Sequence, residues 1–212
     1  MIDFPESTAV HKRLPKEAFY KRLSLSAPLK AKFVSDVVCI VVENCLTNSN
    51  LNLTKESKIR EIILLSITLK KQNFDGKIVE AIARQNPHKL IFLLAYEGDR
   101  QLAVYHGRLY HTNWMKGNNL SLKLSGNTLD EIWEELIQQI AISSEAVLNK
   151  ENLTIDGQLK TQDRIDWLNK MINKTESAAW KEQQPKKRFE LYTQLQAYKN
   201  QLEEITNANY DV

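Results

Sequence analysis

The spacing of apolar residues near the end of the chain limits its possible folds more than any other feature. Leu191, Leu195, Tyr198, Leu202 and Ile205 alternate at intervals of four and three residues, and Ile165, Leu168 and Ile172 begin a similar seam upstream. Such spacing keeps one stripe of a helix against a neighbour. Trp167 and Met171 flank the first seam, and Asp163 or Thr161 can accept the free amide hydrogens at its start. Pro185 suits the first turn of a second helix, where its missing N–H costs nothing. The spacing therefore predicts a helical hairpin over 161–206, short and coiled-coil-like. It packs as an antiparallel pair or projects as an arm, against the protein's own body or a partner. Leu191, Leu195, Tyr198, Leu202 and Ile205 are its candidate partner-binding residues, on another protein or on a second copy of the chain.

Ahead of the hairpin the periodicity changes. Residues 1–14 read as a loosely structured lead-in. Pro15 to Leu23 and Leu29 to Ser35 read as short helices, each with a proline start signal. Val37-Val38-Cys39-Ile40-Val41-Val42 is uniformly apolar and rich in β-branched residues, which predicts a buried strand reaching Cys45. Further strands are expected at Ile59–Lys70, Leu90–Tyr96, Gln101–His106 and Arg108–Trp114. Turns fall at Glu97-Gly98-Asp99 and at Gly107, and a short alternating piece at Leu120–Leu124. Gly76–Arg84 and Leu129–Ile142 read as helices, the latter capped by Asn127 or Thr128 and turning Ile132, Trp133, Leu136 and Ile140 to the sheet. The expected fold class is α+β: a mostly antiparallel sheet with flanking helices on one side, plus the C-terminal hairpin. The expected organisation is a body over 1–145, a linker over 146–160, the hairpin over 161–206 and a tail over 207–212.

Composition narrows the function classes. No run approaches the roughly 18 apolar residues of a membrane span, and no basic-then-apolar leader opens the chain. A soluble, cytoplasmic protein without membrane contact is expected. Cys39 and Cys45 are too few for a disulfide scaffold, and six residues apart on one strand they would share a face as buried thiols. The net charge of +3 is too small to mark a nucleic-acid binder. Its distribution is uneven: Lys12, Arg13, Lys16, Lys21, Arg22, Lys30 and Lys32 are set against Glu17 alone, a cluster suited to DNA phosphates or an acidic partner. From Lys150 onward ten basic residues meet ten acidic ones, which favours specific pairing.

Signals for chemistry are sparse. A strand–strand–helix–strand order is also the layout of restriction-type nucleases, which need an acid-x-Lys pair to hold a metal and activate water. Here Thr68-Leu69-Lys70 supplies the lysine without the acid, and nothing fixes Glu43 or Glu61 beside it. His106 and His111 flank the Gly107 turn with no placed carboxylate or cysteine, a weak metal signal. Tyr96, Tyr105, Tyr110 and Trp114 lie beside Arg100, Arg108 and Lys116, a mixture that suits base stacking as well as ordinary strands. No phosphate-loop, dinucleotide-binding or nucleophile-elbow motif occurs. The expectation is a protein without catalytic residues, metal or cofactor.

Leu14-Pro15-Lys16 with Phe19-Tyr20, the Ile62–Lys70 strand, Asn86-Pro87-His88-Lys89-Leu90-Ile91-Phe92, and Glu182-Gln183 through Arg188, Glu190-Leu191 and Leu195 together resemble a bacterial family catalogued as domain of unknown function 4391. Members tend to lie beside helicase-like and DNA-methyltransferase proteins in anti-phage islands. The resemblance implies a non-enzymatic accessory or adaptor subunit of a helicase-containing, restriction-like defence system, with a helicase subunit as its protein partner. A nucleic-acid-binding module and a degenerate restriction-type nuclease are the alternatives. The family carries over no catalytic residues. Its members often hold an acid in the strand matching Ile62–Lys70, where this chain has Ser66 or Thr68.

Overall fold

The computed structural model describes residue 2 and residues 4–54, 56–148 and 153–207. The chain divides into two compact units, Met1–Ala141 and Ile142–Val212.

The first unit is built on a seven-stranded sheet: β1 (Ala9–Leu14), β2 (Val37–Leu46), β3 (Ile62–Leu69), β4 (Lys89–Tyr96), β5 (Asp99–His106), β6 (Arg108–His111) and the short β7 (Met115–Lys116). The first six lie in chain order, and β7 pairs with β5. Neighbours are antiparallel except β3 and β4, whose parallel pairing requires a crossover; α3 (Lys77–Arg84) supplies it.

The sheet is covered on both faces, not one. On one face Leu65, Ile67 and Leu69 of β3 and Leu90, Phe92 and Leu94 of β4 pack with Phe33 and Val37 and with Ile78, Val79 and Ile82 of α3. Phe33 belongs to α2 (Ala27–Asp36), which follows α1 (Lys16–Arg22). Ile62, Leu64, Ile91, Leu102 and Val104 alternate with that set and are also buried. Over them runs α4 (Leu129–Ala141), against β5 and β6. Strands apolar at nearly every position need cover on each side, because successive side chains point to opposite faces.

Several details depart from expectation. The lead-in contains a 3-10 turn at Glu6–Thr8 and the strand β1. Buried Thr8 pins it, donating to the Pro5 carbonyl and accepting from the Asn44 amide at 2.8 Å. The fifth expected strand stops at His111. Leu120 and Leu122 are buried without forming a ladder, and Gln139 of α4 holds the segment by bonding both the N–H and the carbonyl of Lys123. Thr128 caps α4 by accepting from the Glu131 N–H, while the Glu131 carboxylate reaches back to the Asn127 N–H.

The second unit holds α5 (Glu145–Leu148), α6 (Ile155–Lys181) and α7 (Pro185–Asn207). α6 and α7 pack together as the hairpin, with Pro185 at the start of α7 as its spacing predicts. α6 begins earlier than Thr161 or Asp163, within the stretch expected to be a linker. Its cap is Thr154, whose hydroxyl accepts from the Gly157 N–H. The remaining linker positions 149–152 and the tail beyond Asn207 lie outside the described residues.

Candidate functional site

The apolar seam of α7 is used within the hairpin. Leu195 is buried, and Leu191, Tyr198, Leu202 and Ile205 are half-buried. Across from them α6 buries Ile165, Leu168, Thr175 and Ala179. The Tyr198 ring meets the edge of Trp167 at 5.7 Å, and Arg164 donates to Gln201 at 2.6 Å. Buried Gln162 anchors the segment entering this unit: its oxygen accepts from the N–H groups of Ser143 and Ser144, and its amide nitrogen bonds Ser143 Oγ and Asp166.

The most exposed large apolar side chains of the hairpin are at its closed end, while Trp167 within α6 is 42% exposed. Trp180 in the last turn of α6 is 78% exposed and Phe189 in the first turns of α7 is 73% exposed, with Tyr192 at 46%. Lys181, Lys186, Lys187 and Arg188 surround them, all exposed. Trp180, Phe189 and Tyr192 are not among the seam residues Leu191, Leu195, Tyr198, Leu202 and Ile205. The signal for this end was instead the aromatic residues bracketing the Pro185 turn.

The seven basic residues of the N-terminal cluster are put to different uses. Lys12 and Arg13 stand exposed on the edge strand β1, where charge discourages edge-to-edge pairing. Lys16 bonds the carbonyls of Val34 and Val37 at the end of α2. Lys30 sits over the Tyr20 ring. Lys32 pairs with Asp75 at 2.8 Å, which raises the lysine's pKa and lowers that of the carboxyl. Lys21 and Arg22 are exposed on α1. The cations of the β4–β7 region are likewise engaged. Arg100 bonds the carbonyls of Glu97 and Asp99, Arg108 lies over Tyr110, and Lys116 pairs with Asp99.

The nuclease comparison gains one residue and loses two. Asp36, absent from the sequence argument, stands at the entry to β2, and its carbonyl accepts from the Lys70 N–H at the exit of β3. Its side chain is 4% exposed and pairs with Lys71 at 3.0 Å. Burial works to raise its pKa, but the Ser35 hydroxyl and the Lys71 ammonium outweigh that and hold it low. Glu43 pairs with His11, and Glu61 with His88, both away from Lys70. Thr68 accepts from the Cys39 thiol. Asp36 is thus the one carboxylate at the Lys70 strand end that these contacts identify, and among the described residues no group of three or more metal-ligating side chains is found.

His106 and His111 do not approach each other. His106 lies opposite Arg108 and His111 opposite Ala103, which puts them on opposite faces. The two cysteines also part. Glu43 is an extra residue in β2, so Cys39 opposes Thr68 while Cys45 opposes Ile63 on the other face. Both thiols are free and half-buried.

Among the described residues no helix is long and apolar enough to cross a membrane. No curated protein and no solved structure matches the chain. The family described as Domain of unknown function (DUF4391) has a profile that matches residues 2–202, and the chain belongs to that family.

Proposed function

We propose that this chain is a non-enzymatic accessory subunit that grips a protein partner with the closed end of its helical hairpin. The observation that carries this reading is the exposure of Trp180 and Phe189 amid Lys181, Lys186, Lys187 and Arg188. Aromatic residues and arginine dominate the few contacts that hold interfaces together. Single-stranded nucleic acid is held in grooves that follow its backbone, whereas this end is a turn between two helices. Its positive charge selects an acidic surface around an apolar pocket and opposes pairing with a second identical tip. The family likeness supports a helicase subunit of a restriction-like defence system as that partner.

The test is gel filtration of the full chain with a purified helicase subunit of a restriction-like system from the same source. Co-elution at micromolar concentration, lost in the Trp180→Ala/Phe189→Ala variant, supports the reading. Failure to co-elute, or co-elution indifferent to those substitutions, overturns it.

The Asp36–Lys70 juxtaposition favours a second reading, a degenerate restriction-type nuclease scaffold. Cleavage of DNA with magnesium or manganese that disappears in Lys70→Ala would support retained activity; no cleavage by the unaltered chain rejects it.

A further inference from the structure

At one end of the sheet, where α3 ends and β4 begins, lies a cavity of about 370 Å³. Its walls include Arg84, Asn86, His88, Lys89, Tyr105 and Trp133. Three of these six carry or accept positive charge, and none is a carboxylate. Trp133 is only 5% exposed, yet its indole N–H is buried without an acceptor. The Lys89 ammonium lies over the same ring, 5.5 Å from its centre, which places a cation on this wall.

Two carboxylates stand beside this wall, and Lys89 is the cation that neither of them pairs. Glu80 meets Arg84 at 3.5 Å as an exposed pair, and such pairs are weak. Glu61 holds His88 at 2.6 Å and accepts from the Cys45 thiol on its other oxygen, which fixes the imidazole in place. The carbonyls of Ala81 and Ala83, at the negative end of α3, accept from Gln85 and Asn86. Asn86 also accepts from the His88 N–H, setting the turn that carries His88 and Lys89.

We propose that this cavity binds a phosphate group, either on a mononucleotide or on the backbone of a nucleic acid. Arg84 and Lys89 neutralise it, with Tyr105 and Trp133 completing the walls. The volume is within the range of small-ligand sites. The proposal is independent of the hairpin's role.

The test is calorimetric titration of the full chain at low salt with inorganic phosphate, adenosine 5′-monophosphate and a short 5′-phosphorylated single-stranded oligonucleotide. Binding by at least one probe is expected, weakening with added salt. Arg84→Gln and Lys89→Met, both at exposed positions, should each weaken it about tenfold. Binding of the mononucleotide assigns a small ligand; binding of the oligonucleotide alone assigns nucleic acid. No binding by any probe overturns the proposal. So does binding that survives Arg84→Gln and Lys89→Met but is lost in Lys21→Met/Arg22→Met.

Discussion

The Lys71 ammonium stands 3.0 Å from a carboxylate oxygen of Asp36, a side chain almost sealed from solvent. The second Asp36 oxygen is buried without a partner. Ser35 and Lys71 therefore favour the charged form of Asp36, against burial, which alone would raise its pKa.

Lys71→Met should destabilise the first unit by about 1–3 kcal/mol, because a buried charge loses its counter-ion. The sign of the pH dependence follows from the lowered carboxyl pKa. This contribution is fully present above the unfolded-state value of about 3.9 and is lost as pH falls through the lower folded-state value. Urea melts of the parent and Lys71→Met at pH 7 and pH 3 should show a gap that narrows in acid. An equal gap at both would contradict the assignment.

Strand β3 was legible because Ile62, Leu64, Leu65, Ile67 and Leu69 make a nearly continuous apolar run, although the cover that such a run needs on its second face was not drawn from it. Strand β1 was not legible. Its residues Ala9 to Leu14 are exposed or half-exposed, and an edge strand whose positions face solvent carries no apolar alternation to read. The same limit hid the start of α6, where Thr154 supplies a cap but Ile155 to Lys160 is mostly polar. The extra residue Glu43 could not be read either, since register depends on the partner strand. Of the candidate sites, the sequence located the hairpin but not its exposed end. It also singled out Asn86 to Lys89 without showing that Trp133 lies beside them.

Gly126 has φ +134°, and an added Cβ would come within 2.9 Å of Glu131 and 3.0 Å of the Ile132 nitrogen. Both contacts are with the first turn of α4. Gly126→Ala should cost about 1–3 kcal/mol, read as a lower thermal midpoint with unchanged helix content. Glu97, by contrast, takes φ 49° in the β4–β5 turn without being glycine. Glu97→Gly should raise stability by up to about 1 kcal/mol, because the left-handed strain disappears.

The Cys45 thiol is pushed up to about 11, mainly by burial and further by the Glu61 carboxylate that accepts its hydrogen. At pH 8 only about one molecule in a thousand carries the reactive thiolate. Iodoacetamide labelling followed by peptide mass analysis should show Cys45 slow at pH 8 and accelerating toward pH 10. Glu61→Gln should quicken it at pH 8. Rapid labelling of Cys45 at neutral pH would place the thiol outside this environment.

The hairpin separates packing from display, and paired substitutions can read the two apart. Leu168 is fully buried on α6 and Leu195 is 5% exposed on α7, so Leu168→Ala and Leu195→Ala should each cost about 2–5 kcal/mol. Amide hydrogen exchange across α6 and α7 should then speed up in both variants. Trp180 and Phe189 project into solvent, and replacing them with alanine should change stability by less than about 0.5 kcal/mol. If Trp180→Ala loosened the helices as much as Leu195→Ala does, the closed end would be part of the hairpin's own packing. Its aromatic residues would then have no surface to offer a partner.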